Sequence, residues 1–197
     1  MDKTIEYYNQ NADVFARGTR LVDFTVIQEH FIEMIPSGSK ILDFGCGSGR
    51  DTKYFLEKGY QVMATDGSVE LCRLASVFTG IEVKEMLFQE LDLVNKFDGI
   101  WACSSILHLT KQELFPVIRK MHIALKDNGV IYTSFKYGDF EGERNGRYFT
   151  GFTKNTFQEF IKGIPELTIE EQWITSDVRP GRGEEKRLNL ILRKNQR

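Results

Sequence analysis

Residues 40–51 read Lys40-Ile41-Leu42-Asp43-Phe44-Gly45-Cys46-Gly47-Ser48-Gly49-Arg50-Asp51. The apolar pair Ile41-Leu42 reads as part of a buried strand. Three glycines in five residues read as a tight turn, and a helical pattern begins at Arg50. Glycine is needed where the backbone takes positive φ or comes close to a ligand. A turn of this kind lays main-chain N–H groups against a ligand at a helix N-terminus. The spacing is Asp-x-Gly-x-Gly-x-Gly, and Arg50 stands where a dinucleotide fingerprint would place its third glycine. The competing reading is a glycine-rich βα turn without a ligand. The entropic cost of three glycines weighs against it.

The 197 residues suffice for one α/β domain with a substantial core. No run approaches about 18 apolar residues, so no membrane span is expected. The opening Met1-Asp2-Lys3-Thr4-Ile5-Glu6 lacks the apolar segment of a secretory leader. Cys46, Cys72 and Cys103 are scattered, with no metal or redox spacing, which suits a reducing, cytoplasmic setting. Net charge is −2 but uneven: residues 1–98 hold 10 Lys/Arg against 16 Asp/Glu, and residues 99–197 hold 16 against 12. The mildly basic second half is weak support for an anionic substrate and lacks the dense basic stripe of a nucleic-acid binder.

Helical spacing predicts amphipathic helices over 4–17 and 21–35, the second stopped by Pro36 and Gly38. No strand precedes them, so they form an N-terminal cap over residues 1–37 on a core running from 38 to 197. Tyr8 could face inward there, as could Arg17, Thr19 and Arg20 in the link. Strands are expected at 40–44, 60–65, 81–85, 96–103, 130–135, 167–175 and 187–193. Helices are expected at 50–58, 69–78, 111–125 and 153–162. Gly59 suits a C′ position, Ser68 an N-cap, and Thr110 with Glu113 a capping box. Asp127-Asn128-Gly129 and Pro180-Gly181 signal turns. Residues 136–148, rich in glycine and charge, read as the longest irregular stretch, with Lys136, Tyr137, Arg144 and Arg147 as candidate substrate contacts. The four residues 194–197 read as a frayed tail. The last two strands follow one another without a helix and must pair antiparallel.

Asp66 ends the second strand, 21 residues after Gly45. A carboxylate at that distance is placed to accept both hydroxyls of an adenosine ribose. His108 lies near the inferred mouth of the sheet and would suit a general base at pH 7; packing is the competing role. His30 and His122 fall in helical patterns, and no metal-ligand spacing is present.

The glycine turn, Asp66 and the stretch Phe97-Asp98-Gly99-Ile100 together resemble the class I S-adenosylmethionine (SAM)-dependent methyltransferases over about residues 38–135. Ser105-Ile106-Leu107-His108-Leu109 is similar to small-molecule members, including those linked to tellurite resistance. The resemblance implies an α/β/α three-layer sandwich. Its seven-stranded, mostly parallel sheet has order 3-2-1-4-5-7-6 and one antiparallel strand. It implies SAM as cofactor, without a metal. Gly45, Cys46, Gly47 and Gly49 would take the methionyl part, Asp43 would orient the turn, and Asp66 with Gly67 and Ser68 would take the ribose. Met86 and Leu87 would pack on adenine, with Tyr8, Cys103 and Ser104 at the mouth. The acceptor is expected to be a small molecule, because no nucleic-acid module or Asn/Asp-Pro-Pro-aromatic tetrapeptide is present. Transfer to tRNA or protein, and a nicotinamide oxidoreductase, are the alternatives.

Overall fold

The computed structural model describes residues 2–195 apart from Pro180. Helices α1 (Lys3–Thr19) and α2 (Thr25–Ile32) come first. An alternating series follows: β1 (Lys40–Phe44), α3 (Arg50–Glu57), β2 (Gln61–Asp66), α4 (Val69–Thr79), β3 (Val83–Glu85), β4 (Phe97–Ala102), α5 (Lys111–Ala124) and β5 (Leu125–Tyr137). The chain ends with β6 (Glu141–Arg144), β7 (Arg147–Phe152), α6 (Lys154–Ile161), β8 (Leu167–Ser176) and β9 (Lys186–Lys194).

Parallel pairing runs β3-β2-β1-β4-β5. β9 then adds antiparallel to β5, and β8 adds antiparallel to β9. With β8 and β9 counted as the sixth and seventh strands, this is the expected order 3-2-1-4-5-7-6. Side chains alternate across the sheet as the pleat requires. Ile41, Trp101, Val130, Tyr132 and Ile191 pack on one face with Phe31 of α2 and Phe55 of α3. Leu42, Phe44, Ile100, Ile131, Leu188 and Leu190 pack on the other with α5 and α6. Both faces are buried, so the strands read as continuous apolar runs.

The structure departs from the sequence reading in several places. Residues 136–148 are not irregular. β5 runs on to Tyr137, and β6 and β7 form a hairpin whose turn is Asn145-Gly146, both at positive φ. Asn-Gly is the strongest short hairpin signal, and it was present in the sequence. β7 joins the main sheet by two rungs only, Lys136 with Gly151 and Tyr137 with Phe152. The second helix begins at Thr25 rather than 21, because Asp23 accepts from the Thr25 N–H and hydroxyl and starts it there. The expected turn at 127–129 lies inside β5, with Asn128 at φ 63° and a register shift against β4. Pro180 of the expected 180–181 turn and residues 196–197 of the expected tail lie outside the described residues.

α6 is anchored by Phe157, wholly buried against Phe135, Phe152 and Phe160 with ring centroids 5.3–6.0 Å apart. Truncating a buried aromatic leaves a cavity that the surrounding rings only partly fill. Phe157→Ala should therefore lower unfolding stability by about 3–5 kcal/mol, read as a shift in the urea midpoint at unchanged slope.

Candidate cofactor and acceptor site

The glycine turn is pinned from below. The N–H groups of Gly45 and Cys46 both donate to the Thr65 carbonyl, at 2.9 and 2.8 Å. Gly45, Gly47 and Gly49 all have positive φ, and each is held clear of a different neighbour. A Cβ on Gly45 would stand 2.5 Å from Ser105 Cβ, and one on Gly47 would stand 3.1 Å from the Phe15 ring. A Cβ on Gly49 would stand 2.8 Å from Thr79, so this glycine serves the packing of α3 on α4.

Asp66 spans two turns. Its Oδ2 accepts the Gly47 N–H and its Oδ1 the Ser68 N–H, both at 2.9 Å. Burial pushes its carboxyl up, and these N–H donors oppose that. Ser68 caps α4 and donates its hydroxyl to Asn9 of α1 at 2.6 Å. The Met86 N–H donates to the Asp66 carbonyl.

These groups border one cavity of about 1210 Å³. That exceeds the roughly 300–1,000 Å³ usual for one small ligand, so two can sit side by side. Tyr8, Gly45, Cys46, Gly47, Asp66, Gly67, Ser68, Met86, Leu87, Cys103, Ser104 and His108 all line it, as do Lys136, Tyr137, Arg144 and Arg147. Asp43 and Gly49 do not. Asp43 is 1% exposed beneath the turn, where it accepts the Thr52 hydroxyl at 2.5 Å. Burial, reinforced by the nearby Asp51 carboxylate, raises its pKa. It braces the turn from inside rather than reaching a ligand. Thr19 also lines the cavity, donating to the Phe15 carbonyl with its oxygen 2.9 Å from the Ser48 hydroxyl, whereas Arg17 points outward and Arg20 holds the Leu74 carbonyl.

Of a second polar set, the sequence pointed to Ser104 and Lys136 but not to Asp51 or Asp177. Asp51 is gripped by Arg50 through two bonds of 2.7 and 2.9 Å, by Gln28 at 2.6 Å and by the Trp101 indole N–H at 2.9 Å. Ser104 sits at φ 50°, uncommon for serine, and its oxygen accepts from Arg187 at 3.0 Å. Asp177 pairs with both Arg179 and Arg187. Lys136 pairs with Glu185 at 2.8 Å. The positions are scattered along the chain: α2, α3 and β4 bring the Asp51 group together, and the β5–β9 pairing sets Lys136 beside Arg187.

His108 is placed at the cavity but is not a free base. Its Nδ1 lies 2.6 Å from the Tyr148 carbonyl, which only accepts, so Nδ1 carries the proton. Nε2 must then accept, and the Tyr8 hydroxyl donates to it at 2.9 Å. Burial lowers the His108 pKa to about 4, and Arg147, Arg187 and Lys136 push the same way. Burial raises that of Tyr8. The pair is held neutral.

Residues 41–129 match the family model described as a methyltransferase domain. The solved 1,6-didemethyltoxoflavin-N1-methyltransferase of Burkholderia thailandensis, with bound 1,6-didemethyltoxoflavin and S-adenosylhomocysteine, superposes with TM-score 0.75. It is 24% identical, over 98% of this chain and 85% of that one. The chain shares the fold of the methyltransferases of known structure, and its residues 41–129 match a methyltransferase domain. A SAM-dependent methyltransferase of Methanosarcina mazei superposes with TM-score 0.76 at 17% identity, covering 90% of this chain and 100% of that one. Among curated relatives, an uncharacterised methyltransferase of Anoxybacillus flavithermus is 29% identical over 140 residues, 66% of each chain. YqeM of Bacillus subtilis, whose name assigns methyltransferase activity by inference, is 27% identical over 117 residues, 53% of this chain. That match spans 47% of YqeM, so this chain aligns with about half of that relative. Among the described residues no helix is long and apolar enough to cross a membrane, and no side-chain group could hold a metal.

The neutral His108 has a consequence for stability. The unfolded chain takes up a proton near pH 6.5 and the folded one only near pH 4, so stability should fall as pH drops through that window. The loss is at most about 3 kcal/mol. His108→Asn should flatten the slope of unfolding free energy between pH 6.5 and 4, measured by urea titration against the parent.

Proposed function

We propose that this chain transfers the methyl group of SAM to a small-molecule acceptor. One observation carries the reading: Gly47 and the Asp66 carboxylate, joined by a single hydrogen bond, line one cavity large enough for cofactor and acceptor together. The glycine cradle fits a close-lying ligand backbone, since a Cβ at Gly45 has nowhere to go. Gly45, Cys46 and Gly47 would hold the amino-acid end, Asp66 with Gly67 and Ser68 the ribose, and Met86 and Leu87 the adenine. The bound sulfonium supplies an electrophilic methyl, so the hard chemistry belongs to the cofactor.

The protein's contribution is alignment. Holding the acceptor in a near-attack pose can contribute roughly 7–11 kcal/mol. The Tyr8–His108 pair supports that role better than proton abstraction. Tyr148 fixes the imidazole, the imidazole fixes the Tyr8 hydroxyl, and the Tyr8 oxygen, which accepts from Arg147, keeps one lone pair to orient an acceptor donor. Tyr8 is thus a contact residue, and His108 positions it.

Removing the charge of Asp66 tests the cofactor reading. Asp66→Asn keeps the shape and should weaken S-adenosylhomocysteine binding about tenfold to a hundredfold in calorimetry, the worth of charge-assisted bonds to two hydroxyls. Unchanged affinity would remove Asp66 from the ribose. The acceptor class is read by incubating the protein with tritiated-methyl SAM and cell extract. Label should enter the small-molecule fraction; label confined to RNA or protein would overturn that part of the proposal.

A further inference from the structure

The wall of the cavity beyond β4 carries more cations than acids, and Arg147 is among those that meet no carboxylate among the described residues. Lys136, Arg147, Arg179 and Arg187 all line it. Lys136 is paired with Glu185, and Arg179 and Arg187 share Asp177. Arg147 has no carboxylate partner among the described residues. Its guanidinium stacks instead over rings, 4.5 Å from the centroid of Tyr7, 5.8 Å from Tyr8 and 5.2 Å from Phe149. Its buried Nε has no hydrogen-bond partner. A buried donor left unmade is costly, and here it is a charged one. The rings and a hydrogen bond to the Tyr8 hydroxyl hold the side chain in place, and Nε stays unpaired.

The neighbourhood is set up for the same sign of charge. The Tyr8–His108 pair is neutral, and the cations around it oppose protonation of the imidazole. A site that disfavours gaining a proton does little to activate a neutral hydroxyl. It suits an acceptor that arrives with its own negative charge.

We propose that the methyl acceptor is an organic acid: its carboxylate seats on the Arg147 guanidinium, and its planar body lies against the rings of Tyr8 and Phe149. The proposal rests on the methyltransferase reading, and it adds the chemical class of the second ligand. Arg147 opens β7, an element that carries none of the groups assigned to the cofactor, so the anion it takes is proposed to be separate from the cofactor's own carboxylate. A guanidinium fork matches a carboxylate with two parallel bonds, which an ammonium cannot do.

Benzoate and its uncharged isostere benzamide are the probes, titrated by ligand-observed NMR into the whole protein with and without saturating S-adenosylhomocysteine. The wild type should bind benzoate about tenfold or more tighter than benzamide, as one charge-assisted pair implies. Arg147→Gln should lose that preference, while Arg147→Lys should keep part of it. Equal binding of the two probes by the wild type would overturn the proposal, and that comparison needs no folded variant. So would inorganic phosphate displacing benzoate at equal concentration, which would mark a bare-anion site. A loss of S-adenosylhomocysteine affinity in Arg147→Gln with the benzoate preference intact would place Arg147 on the cofactor and also overturn it. Failure of the wild type to bind S-adenosylhomocysteine would sink the methyltransferase reading instead, and the arm without it still decides the fate of Arg147.

Discussion

One carboxylate and one carbonyl, adjacent in sequence, fix the geometry of the site. Thr65 offers its carbonyl to the N–H groups of Gly45 and Cys46, and Asp66 offers its side chain to Gly47 and Ser68. The turn after β1 is therefore tied to the end of β2 by three backbone donors in a row. A glycine-rich loop has much conformational entropy to lose. Without these anchors it would not hold its N–H groups in one arrangement. From beneath, Asp43 and Thr52 close the turn against α3, and Asp51 ties it to Trp101 of β4 and Gln28 of α2.

That arrangement explains why so much polarity is tolerated in the core. Asp43 and Asp51 are both buried, and buried carboxylates are costly unless hydrogen-bonded or paired. Asp51 meets an arginine, an amide and an indole, which satisfies most of its acceptor capacity. Asp43 meets a hydroxyl and is held towards its neutral form. The two acids therefore play different parts: one is the hub of an ion pair and two further bonds, the other a brace whose carboxyl burial pushes up.

The sheet was legible because its strands are apolar on both faces and are separated by capped helices. Ser68 and Thr110 stand at the N-caps their residue types suggest, and Gly80 closes α4 in the left-handed region. The β6–β7 hairpin was hidden for the opposite reason. β6 is charged and mostly exposed, and β7 interleaves Arg147, Thr150 and Gly151 with aromatic residues, so neither shows the aliphatic run of the central strands. Its Asn145-Gly146 turn was the available clue. The site divided along the same line. Gly45, Gly47 and Asp66 belong to one local βαβ unit and could be read from spacing. Arg147, Asp177 and Arg187 meet only through tertiary pairing, and no local pattern announces that. His108 was found, but its engagement with Tyr8 across 100 residues of chain was not visible in sequence.

The β6–β7 hairpin hangs from the parent sheet by two residue pairs, and it lies wholly beyond the residues 41–129 that match the family model. Its β7 half is tied into the core through Phe149 and Phe152, whereas β6 and the Asn145-Gly146 turn are largely exposed. Drift in the length or charge of that outer half would leave the interior undisturbed while remodelling one side of the ligand chamber. Such an appendage is an evolutionary swivel point, where descendants of one ancestral scaffold can diverge in what they recognise without first having to refold.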